Sequence, residues 1–122
     1  MVSMSKIKKM VLGIALAMCV FGGSVGSCYA ASSSIAVDIT ATRAYGKFVY
    51  GEAGHQITVT VFYLEKDSNG NVREDHVSDN QFGNVTTAVV SRTNTAGFQY
   101  ISGYAVGLVD GIIEAISSRD YA

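Results

Sequence analysis

The chain has 122 residues, 16% of them charged, and a formal net charge of −1, which bounds it to one domain with one modest core. From residue 31 onward six Lys and Arg face ten Asp and Glu, a net −4 with no basic stripe, so nucleic acid and anionic lipid are poor partners. The two cysteines, Cys19 and Cys28, both stand in the first thirty residues, which excludes disulfides, thiolate zinc centres and cysteine nucleophiles from the rest.

Lys6, Lys8 and Lys9 precede an apolar run from Met10 to Phe21, and small residues then lead to Cys28-Tyr29-Ala30. Charged, apolar and A-x-A-like parts in that order make a secretory signal peptide over residues 1–30, with a helical apolar part and cleavage before Ala31. The apolar run is about 12 residues, short of the roughly 20 that span a bilayer as a helix, so no transmembrane anchor is expected in the mature chain. Val25-Gly26-Ser27-Cys28 loosely matches a lipobox, and the alternative location is a cell surface, anchored through lipid on Cys28. The expectation is an exported bacterial protein, secreted in soluble form, whose single mature domain spans residues 31–122.

Beyond residue 32 the hydrophobic pattern has period two. Ile35, Val37, Ile39 and Ala41 alternate with Ala36, Asp38, Thr40 and Thr42, which predicts a strand with one apolar face. Ala44 to Tyr50 fits two readings, a continuation of that strand or the second arm of a hairpin turning near Arg43. Gln56 to Glu65 is the clearest strand: Ile57, Val59, Val61 and Tyr63 share one face, Thr58, Thr60, Phe62 and Leu64 the other. Its β-branched and aromatic content predicts a central position. Asp67-Ser68-Asn69-Gly70-Asn71 predicts a hairpin turn into an edge strand from Val72 to Val77, because Asn and Gly both tolerate positive φ.

A strand from Val85 to Arg92 and a turn at Thr93-Asn94-Thr95-Ala96-Gly97 follow. Phe98, Tyr100, Tyr104, Val106 and Leu108 then alternate with Gln99, Ile101, Gly103, Ala105 and Gly107, a strand whose small face suits a place under another layer. The last piece admits a hairpin at Asp110-Gly111 leading into Ile112 to Ser117, or a helix through Val106, Val109, Ile113 and Ile116. The strand is favoured, because Gly107 and Gly111 each weaken a helix by roughly 1 kcal/mol relative to Ala. The count predicts an all-β fold, a small antiparallel β-sandwich of six or seven strands.

Chemistry-bearing patterns are sparse. Asp67, Asn69 and Asn71 have the oxygen spacing that opens a calcium loop, but Val72 stands at the sixth position and Ser78 at the twelfth, where Gly and Glu belong. An ordinary polar turn accounts for them. His55 and His76, with Glu52, Glu74, Asp75 and Asp79 nearby in sequence, could make a zinc or copper site only if folding gathers them; two separate surface histidines is the simpler reading. There is no Gly-x-Ser-x-Gly and no phosphate loop, and Glu74-Asp75, adjacent on a strand, point to opposite faces. The expectation is no cofactor and no catalysis. Tyrosines are the better lead, since Tyr is amphipathic and low in rotamer entropy. Tyr45, Tyr50, Tyr100 and Tyr104 are the candidate binding surface if strands bring them to one open face.

Ala44-Tyr45-Gly46, Tyr50, His55 and Thr58-Val59 also resemble in spacing the lactococcin-type bacteriocins, small leader-bearing all-β chains of Gram-positive bacteria. The tryptophans and aromatic-rich C-terminus of that family are missing here. The resemblance implies a secreted toxin as the alternative. The reading from the residues themselves is a binding module whose partner is an extracellular protein or a cell-envelope component.

Overall fold

The computed structural model describes residues 32–122; the expected signal peptide and helix, the expected cleavage before Ala31 and the lipid-anchored alternative at Cys28 fall outside the described residues. Eight strands follow in order: β1 (Ser33–Ile39), β2 (Arg43–Tyr50), β3 (Ile57–Asp67), β4 (Val72–Gln81), β5 (Thr87–Thr93), β6 (Phe98–Val109), β7 (Ile112–Ile116) and β8 (Asp120–Tyr121). They form two antiparallel sheets. One has three strands in the order β1-β2-β5; the other has β4-β3-β6-β7, with β8 paired to β6 beside β7. No helix among the described residues is long and apolar enough to cross a membrane.

The alternation read from the sequence sets the core. Ile35, Val37 and Ile39 of β1, Ala44 and Phe48 of β2 and Ala88 and Val90 of β5 point inward from the smaller sheet. Ile57, Val59, Val61 and Tyr63 of β3 meet them from the larger one. β2 lies across β3 and β6, and glycines let the layers close: a Cβ on Gly46 would overlap Val61, and one on Gly107 would overlap the Phe48 ring. The small face of β6 does lie under another layer, as its Gly-Ala-Gly alternation predicts.

Both open readings resolve toward hairpins. Ala44 to Tyr50 is the second arm of a β1–β2 hairpin, closed where Thr40 N donates to Arg43 O at 2.9 Å and Arg43 N donates to Thr40 Oγ1 at 3.0 Å. Residues 106–116 are strands around the Asp110-Gly111 turn, whose φ values of 53° and 80° are those of a type I′ turn that matches strand twist. The Asn69-Gly70 turn differs from expectation: only Gly70 has positive φ, 83°. Gly70 N donates to Asp67 O, and Asp67 N to Asn71 O. That is the three-residue hairpin with a glycine bulge, which places Asn69 in an ordinary right-handed conformation.

Two elements exceed the expected six or seven strands and their bounds. β4 runs on to Gln81 through Ser78-Asp79-Asn80, a polar stretch held by side-chain pairs: Thr58 Oγ1 donates to Asn80 Oδ1 at 2.5 Å, and Thr60 Oγ1 and Ser78 Oγ are 2.8 Å apart. β8 has only two residues, too few to show a period, and it is fixed by tertiary bonds. The buried Asp120 carboxylate accepts the Ile39 N–H at 2.8 Å, tying the end of β1 to the opposite sheet.

Candidate binding surface

Three strands cover five, so the larger sheet has a second face turned away from the core. Register places Thr58, Thr60, Phe62 and Leu64 of β3 there, beside Asn80, Ser78, His76 and Glu74 of β4 and Leu108, Val106, Tyr104 and Ser102 of β6. Ile113 and Ile116 of β7 pair with Leu108 and Val106, and Tyr121 of β8 pairs with Ser102. No further strand among the described residues lies over this face; its β7 and β8 edge is open, with Ile113 57% exposed, Ile116 45% and Tyr121 61%, while Thr60, Ser102 and Val106 in its middle are buried.

Its middle is an aromatic row. Phe62 lies directly across from His76 on one side and Tyr104 on the other. Ring centroids are 5.7 Å apart for Phe62 and His76, and 5.3 Å for Phe62 and Tyr104, the latter pair only 20° from parallel. Rings that close and that parallel overlap in offset fashion, the arrangement their quadrupoles favour. The Arg119 guanidinium lies 5.2 Å from the Tyr104 centroid, while its Nη1 donates to the buried Ser102 Oγ at 3.0 Å. The stack therefore runs from the β4 edge to the segment before β8 and ends in a cation–π contact. One half of the face is apolar, around β6 and β7; the other, along β4, carries His76, Ser78, Asn80 and Glu74.

The sequence candidates do not converge here. Tyr104 belongs to the row, but Tyr45 sits on the outer face of the smaller sheet, with the Arg43 guanidinium 5.2 Å from its ring. Tyr50 and Tyr100 are buried in the core, which corrects their candidacy as binding residues. For Tyr100 the cause is a bulge. Leu64 pairs with Ser102 and Glu65 with Tyr100, so Ile101 is an extra residue and the alternation changes phase. Tyr100 thus turns inward onto Tyr63, ring centroids 4.8 Å apart. Alternation marks Phe62, Leu64 and Leu108 as strand residues, but the openness of their face is set by the number of strands opposite.

The histidines stay apart. His76 is in mid-β4, whereas His55 precedes β3 and meets the β6–β7 turn: its Nδ1 is 2.6 Å from Asp110 Oδ2, and its Nε2 is 3.9 Å from Glu52 Oε1. The hydrogen bond to Asp110 pushes the His55 imidazole up from its ordinary value, and the same bond holds Asp110 below the usual carboxylate range. At the far end of β3, Asp67 turns inward. Its Oδ1 accepts the Asn69 and Asn71 N–H groups at 2.9 and 3.0 Å, and its Oδ2 the Asn71 side-chain amide at 3.2 Å. These donors, the Asn71 backbone N–H first, hold the Asp67 carboxyl below the usual carboxylate range. With its lone pairs so occupied, the turn needs no ion to explain Asp67, Asn69 and Asn71. No group of three or more His, Cys, Asp or Glu placed to hold a metal is found among the described residues.

No protein-family model matches the chain, and no curated protein matches it in sequence. Among solved structures it is similar to the putative ApaA protein from Bordetella pertussis, at 9% identity and a TM-score of 0.41, over 75% of this chain and 92% of that one. The sensor domain of the anti-sigma factor RsgI4 in Pseudobacteroides cellulosolvens gives 16% identity and a TM-score of 0.32, over 74% and 93%. Bacteroides uniformis β-glucuronidase gives 9% identity and a TM-score of 0.35, over 74% of this chain and 12% of that one. What the residues themselves define is a small two-sheet β protein whose larger sheet carries an aromatic row on the face turned away from the core.

Proposed function

We propose that this is a small secreted bacterial protein that acts by binding, not by catalysis, and that it meets an extracellular protein or cell-envelope component through the outer face of the larger sheet. The observation that carries the reading is the Phe62–Tyr104 row continuing into exposed Ile113, Ile116 and Tyr121. A contiguous apolar face of this kind, rimmed by polar side chains, is how soluble proteins present an interaction site. Aromatic residues beside an arginine are also the anchors that dominate interface energies. Export is supported by the order of charge, apolar run and small residues in the first thirty positions.

A photo-reactive phenylalanine at position 62 tests the surface against the same probe at position 45 on the opposite sheet. Cross-linking to an envelope or medium component from 62 alone, abolished by Tyr104→Asp in a still-folded protein, supports the reading; equal yields from both positions reject it. N-terminal sequencing of the exported protein distinguishes a chain beginning at Ala31 from one beginning at a lipidated Cys28.

A further inference from the structure

β5 closes one side of the smaller sheet, and its free edge faces away from β2. Tyr50 N donates to Thr86 O at 2.8 Å, and Asn94 N donates to Thr42 O at 2.9 Å. In an antiparallel ladder alternate residues bond the same neighbour, so the even-numbered residues of β5 bond β2. The N–H and C=O groups of Thr87, Val89, Ser91 and Thr93 therefore point to the open side. Those of Val89, Ser91 and Thr93 meet no backbone partner among the described residues. All three residues are exposed, Val89 at 42%.

The other edges are guarded. On β1 the Ile39 N–H is taken by the Asp120 carboxylate, and Val37 is fully buried. β4 carries Arg73, Glu74, Asp75 and Asp79. Glu114 stands at the midpoint of β7, where two-fold pairing would set it against its own copy. Cover and charge are the means by which sheet proteins blunt their edges. β5 has no bulge and no proline, and Arg92 is its one charged residue.

We infer that β5 pairs with the β5 strand of a second copy, antiparallel about a two-fold axis through Val90. Val90 is the midpoint of the strand, so this register uses all of residues 87–93 and forms about eight hydrogen bonds from the outward groups. It sets Thr87 against Thr93, Val89 against Ser91 and Ala88 against Arg92 of the other copy. No like charges meet, and the smallest side chain of the strand lies opposite the longest. An extended peptide of another protein could bond the same edge, but the self-matching register argues for the chain's own copy. Such a contact closes at two copies. Its axis is perpendicular to the smaller sheet, so both larger sheets lie on one side and both Phe62 rows face the same way. On the binding reading proposed above, and only there, this arrangement adds avidity toward a repetitive target.

Sedimentation velocity of the exported protein over about a hundred-fold range of concentration should show monomer passing to dimer. Hydrogen exchange at the Val89 and Ser91 amides should slow over the same range. Ser91→Pro removes an outward N–H that the single copy leaves unpaired, and it should abolish the dimer. Should that variant unfold, the double variant Val89→Glu, Ser91→Glu decides. Both positions are exposed, and position 89 lies across from Lys47, but the new carboxylates oppose each other across the axis and should weaken the dimer by about ten-fold or more. Tyr104→Asp should leave it unchanged, which separates this result from the outcome at the outer face. The inference is overturned by monomer at every concentration, by a dimer that leaves the two amides unprotected, by a dimer that survives in the folded edge variants, or by one lost in Tyr104→Asp.

Discussion

Tyr100 is the residue at which the core carries an uncompensated group. It is 2% exposed, its ring packs edge-on against Tyr63, and its hydroxyl has no hydrogen-bond partner among the described residues. Burial pushes its phenol, and that of Tyr63, up from the ordinary value. A buried unpaired hydroxyl costs about 1–3 kcal/mol, while the ring itself contributes its full apolar burial. Tyr100→Phe is therefore expected to be neutral or to raise stability by about 1 kcal/mol, seen as a higher urea midpoint at unchanged slope. A drop in that midpoint would mean that the hydroxyl is bonded. Glu65 contrasts with it. Also buried, its carboxylate has a partner: Arg73, directly across on β4, reaches it from solvent.

At the level of elements, the two sheets approach as closely as they do because β2 and β6 are thinned at glycines. Gly107 sits beneath Phe48, one of the largest fully buried side chains. Gly107→Ala must move that ring or spread the layers, at about 1–3 kcal/mol; thermal unfolding lowered by several degrees checks it, and a midpoint unchanged or raised refutes the close contact. Ala at an open turn glycine would not test the same thing. The strands themselves were legible because side-chain period two survives wherever one face is buried, as in Ile57, Val59, Val61 and Tyr63. Turn positions were legible from Asp110-Gly111 and Asn69-Gly70, although the second adopts a different turn type. The polar half of β4 was not, since neither of its faces is buried enough to leave an apolar pattern. Nor was the inward turn of Tyr100, because a single bulged residue inverts the phase of everything on one side of it. The candidate face was half legible: the large residues of β6 and the apolar end of β3 are visible in sequence, but whether a layer covers them depends on how strands divide between sheets.

Across the whole molecule, the end opposite the Asn69-Gly70 turn is joined by one titratable pair. Asp110 accepts the Gln56 N–H through Oδ1 at 3.0 Å and contacts His55 through Oδ2, linking the β2–β3 loop to the β6–β7 turn. The groups around the imidazole are Asp110 of the turn and Glu52 of the loop, with the Tyr50 ring edge-on at 5.5 Å. Because the His55 value is raised above 6.5 on folding, its contribution is fully present below 6.5 and is lost as pH rises through the folded value. Because the Asp110 value is lowered below 3.8, its contribution is present above 3.8 and is lost as pH falls through the folded value. Unfolding midpoints should therefore be highest between these limits and decline toward alkaline pH, and His55→Gln should flatten the alkaline decline. An unchanged profile in that variant would assign the dependence to other groups.

The antiparallel register of β3 against β6 joins Asp67 to Phe98 at its inner end, so the central pairing of the larger sheet closes a loop of about thirty residues. The β1–β2, β3–β4 and β6–β7 hairpins can form on their own within microseconds, but none has a core until that distant pairing is made. Maturation then falls in the millisecond-to-second range typical of non-local sheets. In that interval Phe62, Leu64 and the isoleucines of β7 stand next to unpaired backbone edges, and self-association competes with completion of the fold.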